Sequence, residues 1–395
     1  MNDLPVIRMR PKTSAQALRF GAPWAFVDTL VMDRRTRAIP AGALVVLEDA
    51  ERRPVGLGAF NPDSRIAFRM LSQDTATAVD AGFFRDRIAR ALALRARLFD
   101  RPFYRLIHAE ADGLPGVIVD RFGDLCVLQP NAAWAERLLE PLARALAEVT
   151  GATAVYKNAS GRARKLEGLD EASGPLLGTV SGPVDVPMNG AVYRADIEGG
   201  QKTGLFYDQR PNHAFAARLA KGARVLDVFS HVGGFALACL AAGAESALAV
   251  DASAPALELA TQGAAASGVA RRFATRQGDA FEVLASLREE EARFDLLVCD
   301  PPAFAPAKPA LEAGLRAYER VARLAASLVV PGGYLGLCSC SHAADLSRFR
   351  TACTRGIGRA GRAGALVHTG FAGPDHPQHP HLAESGYLKA LFYRL

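Results

Sequence analysis

The second half of the chain alternates short apolar runs with helix-like segments from about residue 215 onward. Runs typical of buried strands lie at 224–229, 246–251, 272–276, 294–300 and 334–339. Segments with helical character lie between them, at 234–242, 254–267, 281–290 and 311–328. Strands that alternate with helices form a parallel sheet covered by helices on both faces. The sequence therefore predicts an α/β domain, and ligands of such sheets bind beyond the carboxyl ends of the strands.

The first predicted strand of this half leads into a glycine turn. Asp227, Phe229 and Ser230 lie at its carboxyl end, and Gly233 and Gly234 precede the next helix. Glycines at such a point allow the backbone to approach a ligand closely before the helix begins. The turn lacks the GxGxxG spacing, which weakens a dinucleotide-binding interpretation.

Acidic residues end or follow the next two strands. Asp251 ends the second strand, where it can accept hydrogen bonds from ribose hydroxyls or cap the helix after Ala252. Asp279 and Ala280 follow the third strand, at a place where an adenine amino group could bind.

The fourth and fifth strands end in the most specific motifs. The fourth ends in Asp300-Pro301-Pro302, and because proline cannot continue a central strand, Asp300 is predicted at the strand tip. The fifth ends in Cys338-Ser339-Cys340-Ser341-His342, where the two cysteines share one face. Cys340 is nearer the tip and is a plausible nucleophile, although Cys338 leaves some ambiguity.

Other cysteines and the composition exclude several classes of protein. Cys126, Cys239 and Cys299 are expected to be inert buried residues. No CxxC pair or zinc-ligand spacing occurs, so we expect free thiols and no metal. Hydrophobic residues make up 50% and charged residues 22% of the chain, which excludes intrinsic disorder. No apolar run predicts a membrane span or a signal peptide, and we expect a cytoplasmic protein without a membrane partner.

The excess positive charge lies at the N-terminal end. Residues 1–101 contain 17 basic and 11 acidic residues, whereas residues 102–195 have a net charge of −2 and residues 196–395 of +2. A basic module favours a polyanionic partner, although a solvated surface has the same composition. We predict a small β-rich domain at 1–75, a linker helix at 76–102, a central α+β domain at 103–197 and the sheet domain at 198–395.

Taken in order, the strand ends resemble those of class I S-adenosylmethionine (SAM)-dependent methyltransferases. The segment GQKTGLFYDQR at 200–210, together with DVFSHVGGF, DPP and CSCS, is similar to the bacterial 23S ribosomal RNA cytosine-5 methyltransferase family. The similarity extends to ALRFGAPW at 17–24, HAEADGLPG at 108–116 and GYLK at 386–389. It implies a PUA-like RNA-binding domain at 1–75 and a Rossmann-like methyltransferase domain at 198–395.

The resemblance also implies a role for each candidate residue. The cofactor SAM would contact Lys202, Thr203, Asp208, Asp227, Phe229, Ser230, Gly233, Gly234, Asp251, Ala252, Asp279, Ala280, Asp300 and Pro301. The target base would contact Phe206, Pro302 and Ser341. Cys340 would be the catalytic nucleophile, with Asp300 as the second catalytic residue. The implied partner is 23S ribosomal RNA or an assembling large subunit, and either a monomer or a homodimer fits the sequence.

Two residues depart from the family pattern and keep alternatives open. Ala303 stands where a lysine often follows Asp-Pro-Pro, which puts an RNA contact there in doubt unless Lys308 replaces it. His231 stands where an aromatic or small residue is expected. Besides cytosine-5 methylation, two hypotheses remain: methylation of an exocyclic amine by the Asp300-Pro301-Pro302 motif, and an RNA-binding relative without catalytic activity.

Overall fold

The computed structural model describes residues 4–199 and 204–395. The chain divides into two compact units, one of Met1–Gly182 with Pro374–Ser385 and the other of Pro183–Gly373 with Gly386–Leu395. Among the helices described, none combines the length and the apolar character that crossing a membrane requires.

The first unit begins with a five-stranded sheet of order β1-β3-β4-β5-β2. Strand β1 runs parallel to β3, and the other pairs are antiparallel. The elements are β1 (Val6–Arg8), α1 (Gln16–Arg19), β2 (Trp24–Ala25), α2 (Arg34–Arg37), β3 (Ala43–Glu48), β4 (Pro54–Phe60) and β5 (Phe68–Ser72). Apolar side chains of β3, β4 and β5, including Leu47, Phe60 and Phe68, form the core of this sheet.

A second five-stranded sheet, of order β10-β9-β8-β7-β6, completes the first unit. Its elements are α3 (Ala81–Leu98), β6 (Phe103–His108), β7 (Val117–Phe122), β8 (Leu125–Pro130), α4 (Ala133–Arg137), α5 (Leu139–Thr150), β9 (Ala154–Lys157), α6 (Arg162–Leu166) and β10 (Gly174–Leu177). Helices α4 and α5 are separate and meet at Leu138. Pro141 explains the break, because proline lacks the amide that a continuous helix needs and is tolerated in a first turn.

A segment from the C-terminal part of the chain belongs to the first unit. Asp375 is fully buried there, and its carboxylate accepts a hydrogen bond from the Arg105 amide at 3.1 Å. Arg95 donates to the Asp375 carbonyl at 3.0 Å and forms an ion pair with Asp112 at 2.6 Å. The grouping differs from the predicted continuous domain at 198–395, because these long-range contacts have no local sequence signal. The four-part division itself stays a prediction.

The second unit contains a seven-stranded sheet of order β15-β14-β13-β16-β17-β19-β18. The five strands from β15 to β17 are parallel, and β19 is antiparallel to both neighbours. The elements are β11 (Val184–Met188), β12 (Ala191–Ala195), α7 (Arg210–Leu219), β13 (Arg224–Val228), α8 (Gly234–Ala241), β14 (Ser246–Asp251), α9 (Ala254–Ala266), β15 (Phe273–Gln277), α10 (Ala280–Glu289), β16 (Phe294–Cys299), α11 (Leu311–Ala326), β17 (Val329–Ser339), α12 (Leu346–Arg359), β18 (Ala365–Gly370) and β19 (Lys389–Arg394). The α/β fold predicted for this half is confirmed. The β11–β12 hairpin, predicted as part of the central domain, is grouped with this unit.

The register of the parallel strands brings the predicted motifs to one edge. Val228 at the end of β13 pairs with Val250 of β14 and with Cys299 of β16. Cys299 in turn pairs with Leu337 of β17. The residues that follow these strand ends therefore lie side by side, which is the arrangement the alternating pattern predicted.

Candidate functional site

The glycine turn after β13 has an unusual backbone. Phe229, His231 and Gly233 have φ angles of 62°, 49° and 81°. A left-handed conformation costs about 1 kcal/mol or more for residues other than glycine, so hydrogen bonds must hold this turn. The Ser230 amide donates to the Val250 carbonyl at 3.0 Å, and the His231 amide donates to Asp251 Oδ2 at 2.8 Å. His231 thus contributes to the site through its backbone.

Two buried side chains, His213 and Tyr193, contact the glycine turn. A Cβ at Gly234 would lie 2.7 Å from Nε2 of His213, which explains the glycine. The His213 ring meets Phe235 edge to face at 4.4 Å, and burial lowers its pKa to about 3, so it is neutral. The Tyr193 hydroxyl, from the β11–β12 hairpin, donates to the Gly234 carbonyl at 3.0 Å. Neither His213 nor Tyr193 belongs to a motif, and the sequence analysis missed both.

Asp227 is a fully buried acid with one unsatisfied oxygen. Its Oδ2 accepts hydrogen bonds from the amides of Phe235 and Ala236, at 3.1 and 2.9 Å, and so caps helix α8. Its Oδ1 has no partner among the residues described, and neither has the buried Oγ of Ser230. Burial raises the pKa of Asp227 to about 7. Buried polar atoms are rarely left unpaired, so these two atoms indicate a ligand site.

Asp208 provides a third atom of this kind. It lies in a short 3₁₀ turn, Tyr207–Gln209, and its Oδ2 accepts a hydrogen bond from the Tyr387 hydroxyl at 2.6 Å. Its Oδ1 is buried and has no partner in the described part of the chain. Phe206 meets the His231 ring at 5.1 Å, beside the glycine turn. The predicted cofactor residues Lys202 and Thr203 lie outside the described residues.

Asp251, which ends β14, and Asp279, which follows β15, both accept hydrogen bonds from backbone amides. Asp251 accepts from His231 through Oδ2 and from Ser253 through Oδ1, the latter at 2.9 Å. Helix α9 is capped by Ser253, so Asp251 is not its cap. Asp279 does cap helix α10, and its Oδ1 accepts from the Phe281 amide at 2.9 Å. The carboxylate oxygens of both acids have further lone pairs for a ligand. Ala252 is exposed next to Asp251, and Ala280 is buried.

The Asp-Pro-Pro motif leaves the sheet one residue earlier than predicted. Strand β16 ends at Cys299, and the Asp300 amide donates to the Val228 carbonyl at 3.1 Å. Asp300 is partly buried at this junction, Pro301 is buried and Pro302 is exposed. Lys308 is exposed at the start of a 3₁₀ turn.

Ser341 lies just after β17 in a buried network of hydroxyl groups. Its side chain is completely buried, and its Oγ accepts from the Ala305 amide at 3.0 Å. The Tyr318 hydroxyl lies 2.7 Å from the same oxygen and accepts a hydrogen bond from Ser339 at 2.9 Å. These bonds tie the loop after Asp-Pro-Pro to the segment that follows β17. The contact of Ser341 with the target base stays a prediction.

The six cysteine thiols differ in solvent exposure. Five cysteines are buried and Cys340 alone is partly exposed; the buried ones are Cys126, Cys239, Cys299, Cys338 and Cys353. Burial raises the pKa of Cys338 well above its usual value, and the nearby Asp300 carboxylate raises it further. A thiol of that kind does not form a nucleophilic thiolate at neutral pH. The structure therefore favours Cys340 over Cys338.

Lys389 is a further polar residue at this edge. It is 5% exposed, and its Nζ donates to the carbonyls of Ser341 and Ala344 at 2.8 and 2.7 Å. Burial lowers its pKa. Lys389 belongs to the GYLK segment, and its sequence neighbours give no signal of a role.

The residues around the glycine turn fit the amino acid part of SAM. That part carries an ammonium group, and the unsatisfied carboxylate oxygens of Asp227 and Asp208 are buried acceptors for such a group. These oxygens lie at or near the turn that precedes helix α8. We therefore expect the cofactor at this strand edge.

Comparisons with known proteins agree with this geometry. Residues 106–394 match the family model described as S-adenosylmethionine-dependent methyltransferase, and residues 7–73 match that of a PUA-like domain. A relative from Alteromonas mediterranea, named ribosomal RNA large subunit methyltransferase I, is 35% identical over 380 residues, covering 95% of each chain. A protein of the same name from Shewanella denitrificans is 36% identical over 394 residues, covering 98% of this chain and 99% of its own.

Solved structures with a similar fold extend over the same length. A SAM-dependent methyltransferase from Streptococcus mutans superposes with a TM-score of 0.82 at 17% identity, covering 99% of this chain and 100% of that one. A methyltransferase structure in complex with S-adenosylhomocysteine (SAH) gives the same TM-score of 0.82 at 17% identity, covering 99% of each chain. At this level of identity the likeness concerns the fold, a PUA-like domain followed by a Rossmann-like sheet.

Proposed function

Because this chain belongs to the SAM-dependent methyltransferase family, we propose that it methylates C5 of a cytosine in 23S ribosomal RNA through a covalent adduct with Cys340. The observation that carries the proposal is the position of Cys340, the one partly exposed thiol of six, directly after β17 and beside β16, the strand that Asp300 follows. The names of the relatives and the PUA-like domain support ribosomal RNA as the substrate.

SAM is the cofactor, and different site residues would bind its amino acid, ribose and adenine parts. When bound, SAM supplies a methyl group that its sulfonium makes electrophilic. Asp227, Ser230 and Asp208 would hold the amino acid part through the three unsatisfied oxygens. Asp251 would bind the ribose hydroxyls, and Asp279 with Ala280 would contact the adenine.

Cys340 would act on the pyrimidine ring. Its Sγ donates an electron pair to C6, and the electrons of the C5–C6 double bond move onto C5, which becomes nucleophilic. A carboxyl group of Asp300 hydrogen-bonded to N3 or to the amino group would stabilise the charge that develops on the ring. After C5 has gained the methyl group, a base removes the C5 proton, the double bond forms again and Sγ leaves. The cytosine must be unstacked, and Phe206 and Pro302 would contact it.

Docking of the RNA is assigned to the PUA-like domain. Helix α2 carries three exposed arginines, Arg34, Arg35 and Arg37, at its start and along its length. Arginines of this kind bind phosphates, and the affinity they provide falls as salt rises. The family often has a lysine directly after Asp-Pro-Pro, where this chain has Ala303. Lys308, five residues later, would provide an exposed positive charge in its place.

Substitution of the two neighbouring thiols tests the proposal. Cys340→Ala should abolish 5-methylcytidine in 23S ribosomal RNA while SAM binding, measured by calorimetry, remains. The matched control Cys338→Ala should keep product formation, because that thiol is buried. Full activity in Cys340→Ala would refute the nucleophile.

The same product analysis discriminates the alternatives. An N-methylated base as the product would favour methylation of an exocyclic amine by Asp300-Pro301-Pro302. An absence of product from the wild type, both on naked 23S RNA and on large-subunit particles, would favour an RNA-binding protein without activity.

A further inference from the structure

Lys389 lies in an unusual setting for a lysine. It is the first residue of β19, and it pairs across the strands with Ser339, the residue before Cys340. Its Nζ donates two hydrogen bonds, both to carbonyls of the turn that follows Cys340, those of Ser341 and Ala344. A buried ammonium needs compensation for its lost hydration, and two neutral carbonyls supply only part of it.

The remaining compensation comes from charges at the same turn. Burial lowers the pKa of Lys389, and a thiolate at Cys340 and the carboxylate of Asp345 act in the opposite direction. Electrostatic attraction is mutual, so an ammonium at Lys389 favours a thiolate at Cys340 as much as the thiolate favours the ammonium.

Further titratable groups of the described residues lie at or beside this turn. The Tyr318 hydroxyl comes from α11 and binds Ser339 and Ser341, so it bonds to both neighbours of Cys340. Asp345 caps α12, and Asp300 follows β16. The carboxylates of both acids disfavour a thiolate, and the His342 ring, 5.4 Å from Tyr387, follows in the same turn. The ammonium of Lys389 is an opposite charge that is hydrogen-bonded to this turn.

We propose that Lys389 is a positioning residue whose ammonium fixes the turn after Cys340 and holds the Cys340 side chain as a thiolate. The inference rests on the proposed function, because it assigns Lys389 to the nucleophile named there. The two carbonyl bonds set the backbone of the turn, and the charge sets the state of the thiol. These two contributions can be separated by substitution.

Alkylation of Cys340 by iodoacetamide measures the charge contribution directly. The thiolate forms an Sγ–carbon bond and iodide leaves, so the rate follows the thiolate fraction. Five of the six cysteines are buried, and mass spectrometry of the Cys340 peptide resolves the remaining one. The rate is measured across a range of pH in the wild type, in Lys389→Gln, which keeps N–H donors without the charge, and in Lys389→Met, which keeps neither. Lys221→Met, at an exposed lysine of the same unit, is the matched control.

The expected result is a loss of reactivity in both Lys389 variants. Near neutral pH, alkylation should be about tenfold slower than in the wild type, since an opposite charge at close range shifts a titration by about one unit or more. The midpoint of the profile should move to higher pH, and Lys221→Met should match the wild type. Alkylation of folded Lys389→Gln at the wild-type rate across the profile would overturn the proposal.

A reciprocal measurement covers the case in which the Lys389 variants do not fold. Nuclear magnetic resonance follows the titration of the Lys389 ammonium in the wild type and in Cys340→Ser, which preserves size. Loss of the thiolate should make the ammonium lose its proton at lower pH, and an unchanged titration would refute the coupling. Neither experiment uses RNA or SAM. A failure to form 5-methylcytidine therefore tests the proposed function separately from the role of Lys389.

Discussion

Replacement of Asp227 by asparagine should stabilise the protein and weaken cofactor binding. The side chain is completely buried, its Oδ1 has no partner among the described residues, and burial raises its pKa from 3.8 to about 7. At 1.36 kcal/mol for each pH unit, the ionised carboxylate costs the folded state about 4 kcal/mol above pH 7. Asparagine keeps an oxygen that can accept the hydrogen bonds of Phe235 and Ala236, and it carries no charge.

The sign of the pH dependence follows from proton binding. The folded protein holds the Asp227 proton more tightly than the unfolded chain, so stability falls as pH rises between about 4 and 7. From pH 5 to pH 8 the wild type should lose about 2–3 kcal/mol from this group. Asp227→Asn should lose this slope and be the more stable protein at pH 8. SAM affinity should change in the opposite direction, falling about tenfold or more, because the ammonium of SAM loses a charged acceptor.

Urea unfolding at pH 5 and pH 8, followed by circular dichroism, measures this effect. Trp24 and Trp134 both lie in the first unit, so tryptophan fluorescence reports that unit separately. Asp295→Asn is the matched control, because Arg224 lowers the pKa of Asp295 and its titration lies below this pH window. A lower stability of Asp227→Asn at pH 8, or an unchanged slope, would refute the reasoning.

Three further predictions concern the turn, the loop and the docking surface. Gly234→Ala should lower the free energy of unfolding by about 1–3 kcal/mol and weaken SAM binding, because the added Cβ would meet the His213 ring. Gly358→Ala, at an open position of helix α12, should leave stability unchanged or raise it. Equal melting temperatures of the two variants would contradict this prediction. Tyr318→Phe should lower the free energy of unfolding by about 1–3 kcal/mol, because Ser339 and Ser341 lose a buried hydrogen-bond partner. It should also lower kcat and leave KM for SAM unchanged. A wild-type kcat in this variant would contradict the prediction. The double variant Arg34→Ala/Arg35→Ala should weaken RNA binding and reduce the slope of log affinity against log salt concentration by about 1–2. The control double variant Arg288→Ala/Arg355→Ala, on α10 and α12, should keep the wild-type slope. Equal slopes for both double variants would show that α2 does not bind the RNA.

The strand ends could be predicted from the sequence because their signals are local. Periodicity indicates a parallel sheet, and prolines after Asp300 end a strand whatever else the chain does. The bounds shifted by a residue where backbone conformation decided them. Strand β13, for example, ends at Val228 because Phe229 takes a positive φ angle of 62°.

The supporting residues could not be predicted, because their partners are distant in sequence. His213 is important through its contact with Gly234, and Lys389 through carbonyls more than 40 residues earlier. The same limit applies to the partners of Ser341, a residue for which the family resemblance implied a substrate contact. Tyr318 lies on helix α11 and Ala305 in the loop after Asp-Pro-Pro, both distant from Ser341 in sequence.

The most direct test of the covalent mechanism is a trapped adduct. In a 23S RNA fragment with 5-fluorocytidine in place of cytidine, fluorine occupies the position of the C5 proton, so the final elimination cannot occur. With SAM present, the wild-type protein should form a complex with this RNA that survives denaturation, and peptide mapping should locate the bond at Cys340. An adduct at Cys338, or no adduct from protein that forms 5-methylcytidine on ordinary RNA, would contradict the mechanism.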